Sequence, residues 1–129
     1  MNAPDFDRAT FLAMAPGSIK DPCRLARLAA AYEKSTRNSL VNLASAIEQN
    51  NLAKTREIGH KLKSGSTWFG ALALGLIGEK LENLPNDVEM NTLRPLWEIA
   101  DASFTKVLGE IATTLAQLRK PEGHCYVIE

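Results

Sequence analysis

Apolar residues recur at Leu93, Leu96, Trp97, Ala100, Phe104, Val107, Leu108, Ile111, Leu115 and Leu118. Steps of three and four put all of them on one face of a long helix, and a chain that carries such a face must cover it with other elements. The remaining sequence offers covers of the same kind. Leu25, Leu28, Tyr32, Ser35, Ser39, Leu43 and Ile47 form a second stripe, widened by Ala29, Leu40 and Ala44. Ile58, Leu62, Ser66 and Phe69 fall within a sector of about 80° on a helix, and Leu74, Ile77, Leu81 and Leu84 make a shorter stripe. No segment alternates as a strand does, and no repeat or low-complexity linker divides the chain.

Turn chemistry sets the expected boundaries. Asp7 can cap a short helix over residues 7–15, with Phe6 and Phe11 spaced as a hydrophobic staple and Pro16-Gly17-Ser18 ending it. Asp21-Pro22 opens a second helix over 22–49, since proline suits a position where no amide bond is needed. Asn50-Asn51 suits a helix end and a new cap, giving a third helix over 52–69 that Gly70 closes. A fourth helix is expected over 71–83, followed by the turn Pro85-Asn86-Asp87. Thr92, with Asn91 as the alternative, is expected to cap a last helix over 92–119 with Pro95 in its first turn, and the tail 120–129 loses periodicity. The expectation is an all-α fold: an up-and-down antiparallel four-helix bundle with a short extra N-terminal helix, forming one domain over residues 1–129.

A chain of 129 residues can bury a real core within one domain. Fifteen basic and fifteen acidic residues cancel, so no global charge points to nucleic acid or a membrane as partner. No apolar run approaches the roughly 18 residues of a membrane span, and Met1-Asn2-Ala3-Pro4-Asp5 lacks the features of a signal peptide, so a cytoplasmic location is expected. Cys23 and Cys125 are read as free, reduced thiols, and with His60 and His124 they lack the close spacing that seeds a zinc site. There is no phosphate-cradling glycine loop, which argues against kinase activity of its own.

The chemistry concentrates in Ile58-Gly59-His60-Lys61-Leu62-Lys63-Ser64-Gly65-Ser66-Thr67-Trp68-Phe69-Gly70-Ala71. On a helix His60 points about 160° from the middle of the apolar sector, among Ala53, Arg56, Glu57, Lys63, Ser64 and Thr67. The reading is an exposed imidazole in a basic, uncrowded setting. An unperturbed histidine has a pKa of about 6.5, and adjacent lysines should lower it and leave a lone pair free near neutral pH.

His60-x-Leu62-Lys63, the small residues Ser64, Gly65 and Ser66, and then Phe69-Gly70-Ala71 resemble the signature of histidine-containing phosphotransfer (HPt) domains. The likeness continues through Leu74, Ile77 and Leu81-Glu82; Ser64 stands where many members carry glycine. The resemblance implies a helical bundle that relays a phosphoryl group between receiver-domain aspartates, with His60 as phosphoacceptor. Lys63 would steady the phosphoryl oxygens, with Arg56 and Lys61 secondary, Ser64 and Thr67 as hydrogen-bond donors, and Gly65 as a small residue for close approach. Implied partners are response-regulator receiver domains and a sensor or hybrid histidine kinase, with magnesium on the receiver and no cofactor or metal on this chain. Phe11, Met14 and Trp68 are candidate docking residues. The expected form is a monomer and a free-standing shuttle.

Other readings remain open at this point. A bundle of this kind can bind a receiver without carrying phosphate, and Ser64, Gly65 and Ser66 can equally serve helix packing. A hydrolytic or metal-dependent enzyme lacks paired carboxylates or a Ser/His/Asp set. Dimerisation through the last helix needs more apolar surface than the bundle covers.

Overall fold

The computed structural model describes residues 3–14 and 22–118. Its elements are α1 (Arg8–Ala13), α2 (Pro22–Glu48), α3 (Leu52–Phe69), α4 (Leu72–Glu82), a 3-10 turn (Met90–Leu93) and α5 (Arg94–Leu118). Helices α2 to α5 run up and down as an antiparallel bundle, with α1 packed at one end against α3 and α5. The expected Asp21 cap, the Pro16-Gly17-Ser18 turn and the tail lie outside the described residues.

Local signals account for most boundaries. The Asp7 carboxylate accepts the Thr10 amide at 3.2 Å, and the Phe6 and Phe11 rings stand 5.6 Å apart across the start of α1. Cap and staple thus fix the entry of a helix too short to persist alone. Asn50 takes a left-handed φ of 56°, and the Asn51 side chain accepts the Lys54 amide at 3.0 Å. Gly70 ends α3 at φ 83°, a backbone angle that a side chain would strain.

The entry to α5 differs from the sequence expectation. Thr92 and Asn91 lie within the 3-10 turn, where the Thr92 hydroxyl donates to the Glu89 carbonyl at 2.6 Å. Buried Met90 and Leu93 anchor that turn, and it runs straight into the helix, so neither residue caps it. On α2, Ser35 is exposed and Thr36 is buried in its place. The drift of a 3.6-residue period along 27 residues carries the buried stripe off a simple alternation of threes and fours.

Cys23 is disulfide-bonded, which overturns the expectation of a reduced thiol. The other cysteine of the sequence, Cys125, lies outside the described residues.

The core holds α3 from three sides. Ile58 and Leu62 are buried against α2 and α4, and the Tyr32 hydroxyl of α2 lies 2.9 Å from the buried Ser66 Oγ. The Tyr32 ring stacks on Phe69 with centroids 4.3 Å apart, and burial pushes its phenol pKa up. Phe104 is core as expected, while Trp97 sits at the margin and donates its indole N–H to the Leu40 carbonyl at 2.7 Å. The N-terminal segment locks the far end of α3. The Asp7 amide donates to the Gly70 carbonyl at 2.7 Å, the Ala73 amide to the Pro4 carbonyl at 3.1 Å, and the Ser103 hydroxyl to Asp5 at 2.7 Å.

Candidate functional site

Helices α3 and α4 approach so closely that their backbones touch. A Cβ on Gly59 would lie 2.7 Å from the Gly78 carbonyl oxygen and 2.7 Å from the Glu82 amide nitrogen. A Cβ on Gly78 would lie 2.5 Å from the Lys63 amide nitrogen. Glycine is required at both positions because the clash is with backbone, which has no rotamer to escape into. The small residues of this contact are therefore Gly59 and Gly78; Gly65 has no atom within 4 Å of an added Cβ.

That contact brings the last turn of α4 against the outer face of α3. His60 is exposed, with 66% of its side chain accessible, and its Nδ1 contacts Glu82 Oε2. The second oxygen of the same carboxylate accepts from Lys63 Nζ at 3.0 Å. Glu82 is the more enclosed partner, with its side chain 25% accessible. Hydrogen bonding from His60, and then from Lys63, holds its carboxyl below the usual carboxylate range. The same hydrogen bond, with the attraction of the carboxylate, raises the Lys63 pKa. A carboxylate at a helix C-terminus faces the negative end of the helix dipole, so these contacts offset an unfavourable position.

The other expected site residues separate into distinct roles. Arg56 reaches across to the end of α4, where Nε donates to the Leu84 carbonyl at 3.0 Å and Nη2 to Asn86 Oδ1 at 2.9 Å. Its guanidinium is thus engaged in closing the α4 C-terminus. The Ser64 hydroxyl donates to the His60 carbonyl at 3.1 Å, and the Thr67 hydroxyl to the Lys63 carbonyl at 2.7 Å, so both protons are used along α3. Lys61 is exposed beside His60, and no ion-pair partner holds it among the described residues.

Beyond Thr67 an open pocket of about 380 Å³ is lined by Thr10, Ala13, Met14, Thr67 and Trp68. Trp68 is 68% exposed at its edge. Phe11, expected among the docking residues, is wholly buried between Phe6 and Phe69 and offers no surface. Its staple role took it inside.

The family model of the Hpt domain matches residues 27–120. The chain belongs to that family. Comparison with curated proteins finds no match, and comparison with solved structures finds none. The match runs from Arg27 in α2 through α5 and contains the whole His60 stretch, whereas α1 and the Pro4–Asp7 segment precede it. Hpt domains perform histidine phosphotransfer in two-component phosphorelays, with receiver and histidine-kinase domains as their usual partners. No helix among the described residues is long and apolar enough to cross a membrane.

In this Hpt chain the feature that sequence reasoning missed is Glu82. It was visible only as part of the Leu81-Glu82 spacing, and nothing local says that it faces a histidine 22 positions earlier. A partial signal was present in the interior glycines Gly59, Gly75 and Gly78, since each weakens a helix by about 0.5–1 kcal/mol, but Gly65 and Gly109 also lie inside helices with open space around them, so the sequence does not tell the contact glycines from the others.

Proposed function

We propose that this chain relays a phosphoryl group between receiver-domain aspartates through His60. The single observation that carries the reading is an exposed imidazole, paired to Glu82 and followed one turn later by Lys63, within a chain of the Hpt family. Helix α3 is held by α2 and by the N-terminal segment, which sets where His60 stands on the surface. Phosphoryl transfer depends on positioning and charge stabilisation, and a receiver with its magnesium supplies most of the latter.

Lys63 is the residue we assign to the phosphoryl oxygens, with Lys61 as a second cation that steers the acidic receiver pocket. Arg56, Ser64 and Thr67 contribute less, since their donors already serve the fold. Gly65 is retained as a position where a partner can come close. Trp68 and Met14, beside the open pocket, are the proposed apolar contacts. The working partners are response-regulator receivers, loaded by a sensor or hybrid kinase, and the proposed location is the cytoplasm.

A two-step chase separates this relay from a module that only binds. The chain is labelled from one receiver phosphorylated with acetyl phosphate, isolated, and mixed with a second receiver. Label that moves onto the second receiver, and is lost with His60→Gln, supports the relay. Binding to both receivers without any label on the chain favours the binding module.

A further inference from the structure

We infer that Cys23 and Cys125 form a reversible disulfide clasp, a redox modification site that joins the segments on either side of the Hpt bundle and responds to small disulfides of the oxidised-glutathione class. The clasp is independent of the role assigned to His60.

Cys23 is the second residue of α2 and is disulfide-bonded. The sequence holds two cysteines, so within one chain the bond can run only to Cys125. The helices make that pairing feasible. Helices α2 and α5 are packed antiparallel, and the Tyr32 and Phe104 rings, 6.2 Å apart, mark a common level on the two. Cys23 lies nine residues before Tyr32, about 13 Å along the axis. Thr113 lies nine residues after Phe104, so it stands at the level of Cys23, and α5 continues five residues further to end at Leu118. With packed axes about 8–10 Å apart, the end of α5 is about 12 Å from Cys23. The seven residues from Leu118 to Cys125 can span up to about 24 Å, which is twice the distance to be covered.

Both cysteines fall outside residues 27–120, which the family model matches, so the clasp is an addition to the common bundle. Cys23 is half-buried, and a small reagent can reach its sulfur. When the bond breaks at Cys23, the negative charge left on sulfur faces the positive end of the α2 dipole, which favours reduction there. In the cytoplasm proposed for this chain, a bridge within reach of thiols is held open by a reduced glutathione pool and closes when that pool is oxidised.

Closure proceeds by two exchanges. One cysteine thiolate attacks the small disulfide; a mixed S–S bond to the protein forms, the S–S bond of the reagent breaks, and one small thiolate leaves. The second cysteine gives its proton to water, attacks the protein sulfur of the mixed disulfide and expels the other small thiolate. Two protein thiols are thus oxidised to one disulfide, and one small disulfide is reduced to two thiols that take up the two protons. The bridge closes a loop of about 100 residues. It restricts the unfolded chain, and the closed form is the more stable one.

The test equilibrates the full chain in glutathione buffers of stepped redox ratio, quenches with acid, alkylates free thiols, and reads intact mass, non-reducing peptide maps and thermal melting. Expected are a monomer that passes from two alkylated thiols to none as the buffer becomes oxidising, a crosslinked peptide pair containing Cys23 and Cys125, and a melting temperature about 10 °C higher in the closed form. Cys23→Ser and Cys125→Ser should each lose that difference. Glutathione adducts or disulfide-linked dimers in place of the internal bridge overturn the pairing. A bridge that stays closed in the most reducing buffer, or equal melting of the two forms, overturns the redox response. If a serine variant does not fold, the mass and melting of the wild-type chain decide alone.

Discussion

A methyl group on Gly78 of α4 would lie 2.5 Å from the backbone nitrogen of Lys63 on α3. Backbone meets backbone at this crossing, so the strain of an added atom can be relieved only by moving the helices apart. Gly78→Ala and Gly59→Ala are each expected to destabilise the protein by about 1–3 kcal/mol, measured by urea unfolding. Gly65→Ala should have the opposite sign, gaining about 0.5–1 kcal/mol, because its Cβ meets nothing and alanine is the better helix former. Equal losses at all three positions would contradict this packing.

The contrast among these glycines illustrates what the sequence discloses. Helix positions and the exposure of His60 follow from periodicity, caps and turns, all of which act within a few residues. The α3–α4 contact and the arrival of Glu82 at His60 depend on how two helices cross, and glycines inside a helix hint at a close approach without saying which helix makes it or at what angle. Phe11 and Thr92 fail as sequence expectations for a related reason. Each has a local role that the sequence does suggest, staple or turn residue, and tertiary packing decided which role it took. Arg56 likewise looks like a cation for the site until the end of α4 is seen to need a donor.

Lys63→Ala is expected to slow transfer from a phosphorylated receiver by about tenfold, a loss equivalent to one charge-assisted contact in the transition state. Lys63→Arg should recover part of the rate, since it restores charge with a different geometry. Rapid-quench measurement of label on the chain checks both. An unchanged rate in Lys63→Ala would remove this residue from the phosphoryl site.

The Glu82 carboxyl is held low by His60 and Lys63 in the folded protein and returns to its ordinary range on unfolding. Its contribution to stability is therefore fully present above the ordinary carboxylate pKa and is lost as pH falls through the lowered folded value. For Lys63 the direction is reversed: its pKa is raised, so its contribution is present below the ordinary lysine value and is lost as pH rises through the folded one. The stability difference between wild type and Glu82→Gln should thus stay level around neutral pH and narrow on the acid side. Urea melts across a pH series measure it, and a difference that persists to strongly acidic pH would contradict the pairing.

Trp68 is exposed beside the pocket formed with Met14 and Thr10. Trp68→Ala should weaken binding to the cognate receiver by about tenfold or more, as loss of an aromatic anchor does, while leaving the melting temperature nearly unchanged. Titration calorimetry and thermal melting read the two effects separately. A large stability loss with unaltered binding would make it a packing residue instead.

The central claim is that His60 receives the phosphoryl group. Intact-mass measurement at neutral pH, after incubation with a phosphorylated receiver, tests it most directly. The account predicts one added phosphoryl group on the wild-type chain, removed by mild acid, and none on His60→Gln. A phosphoryl group gained by His60→Gln to the same extent would contradict it.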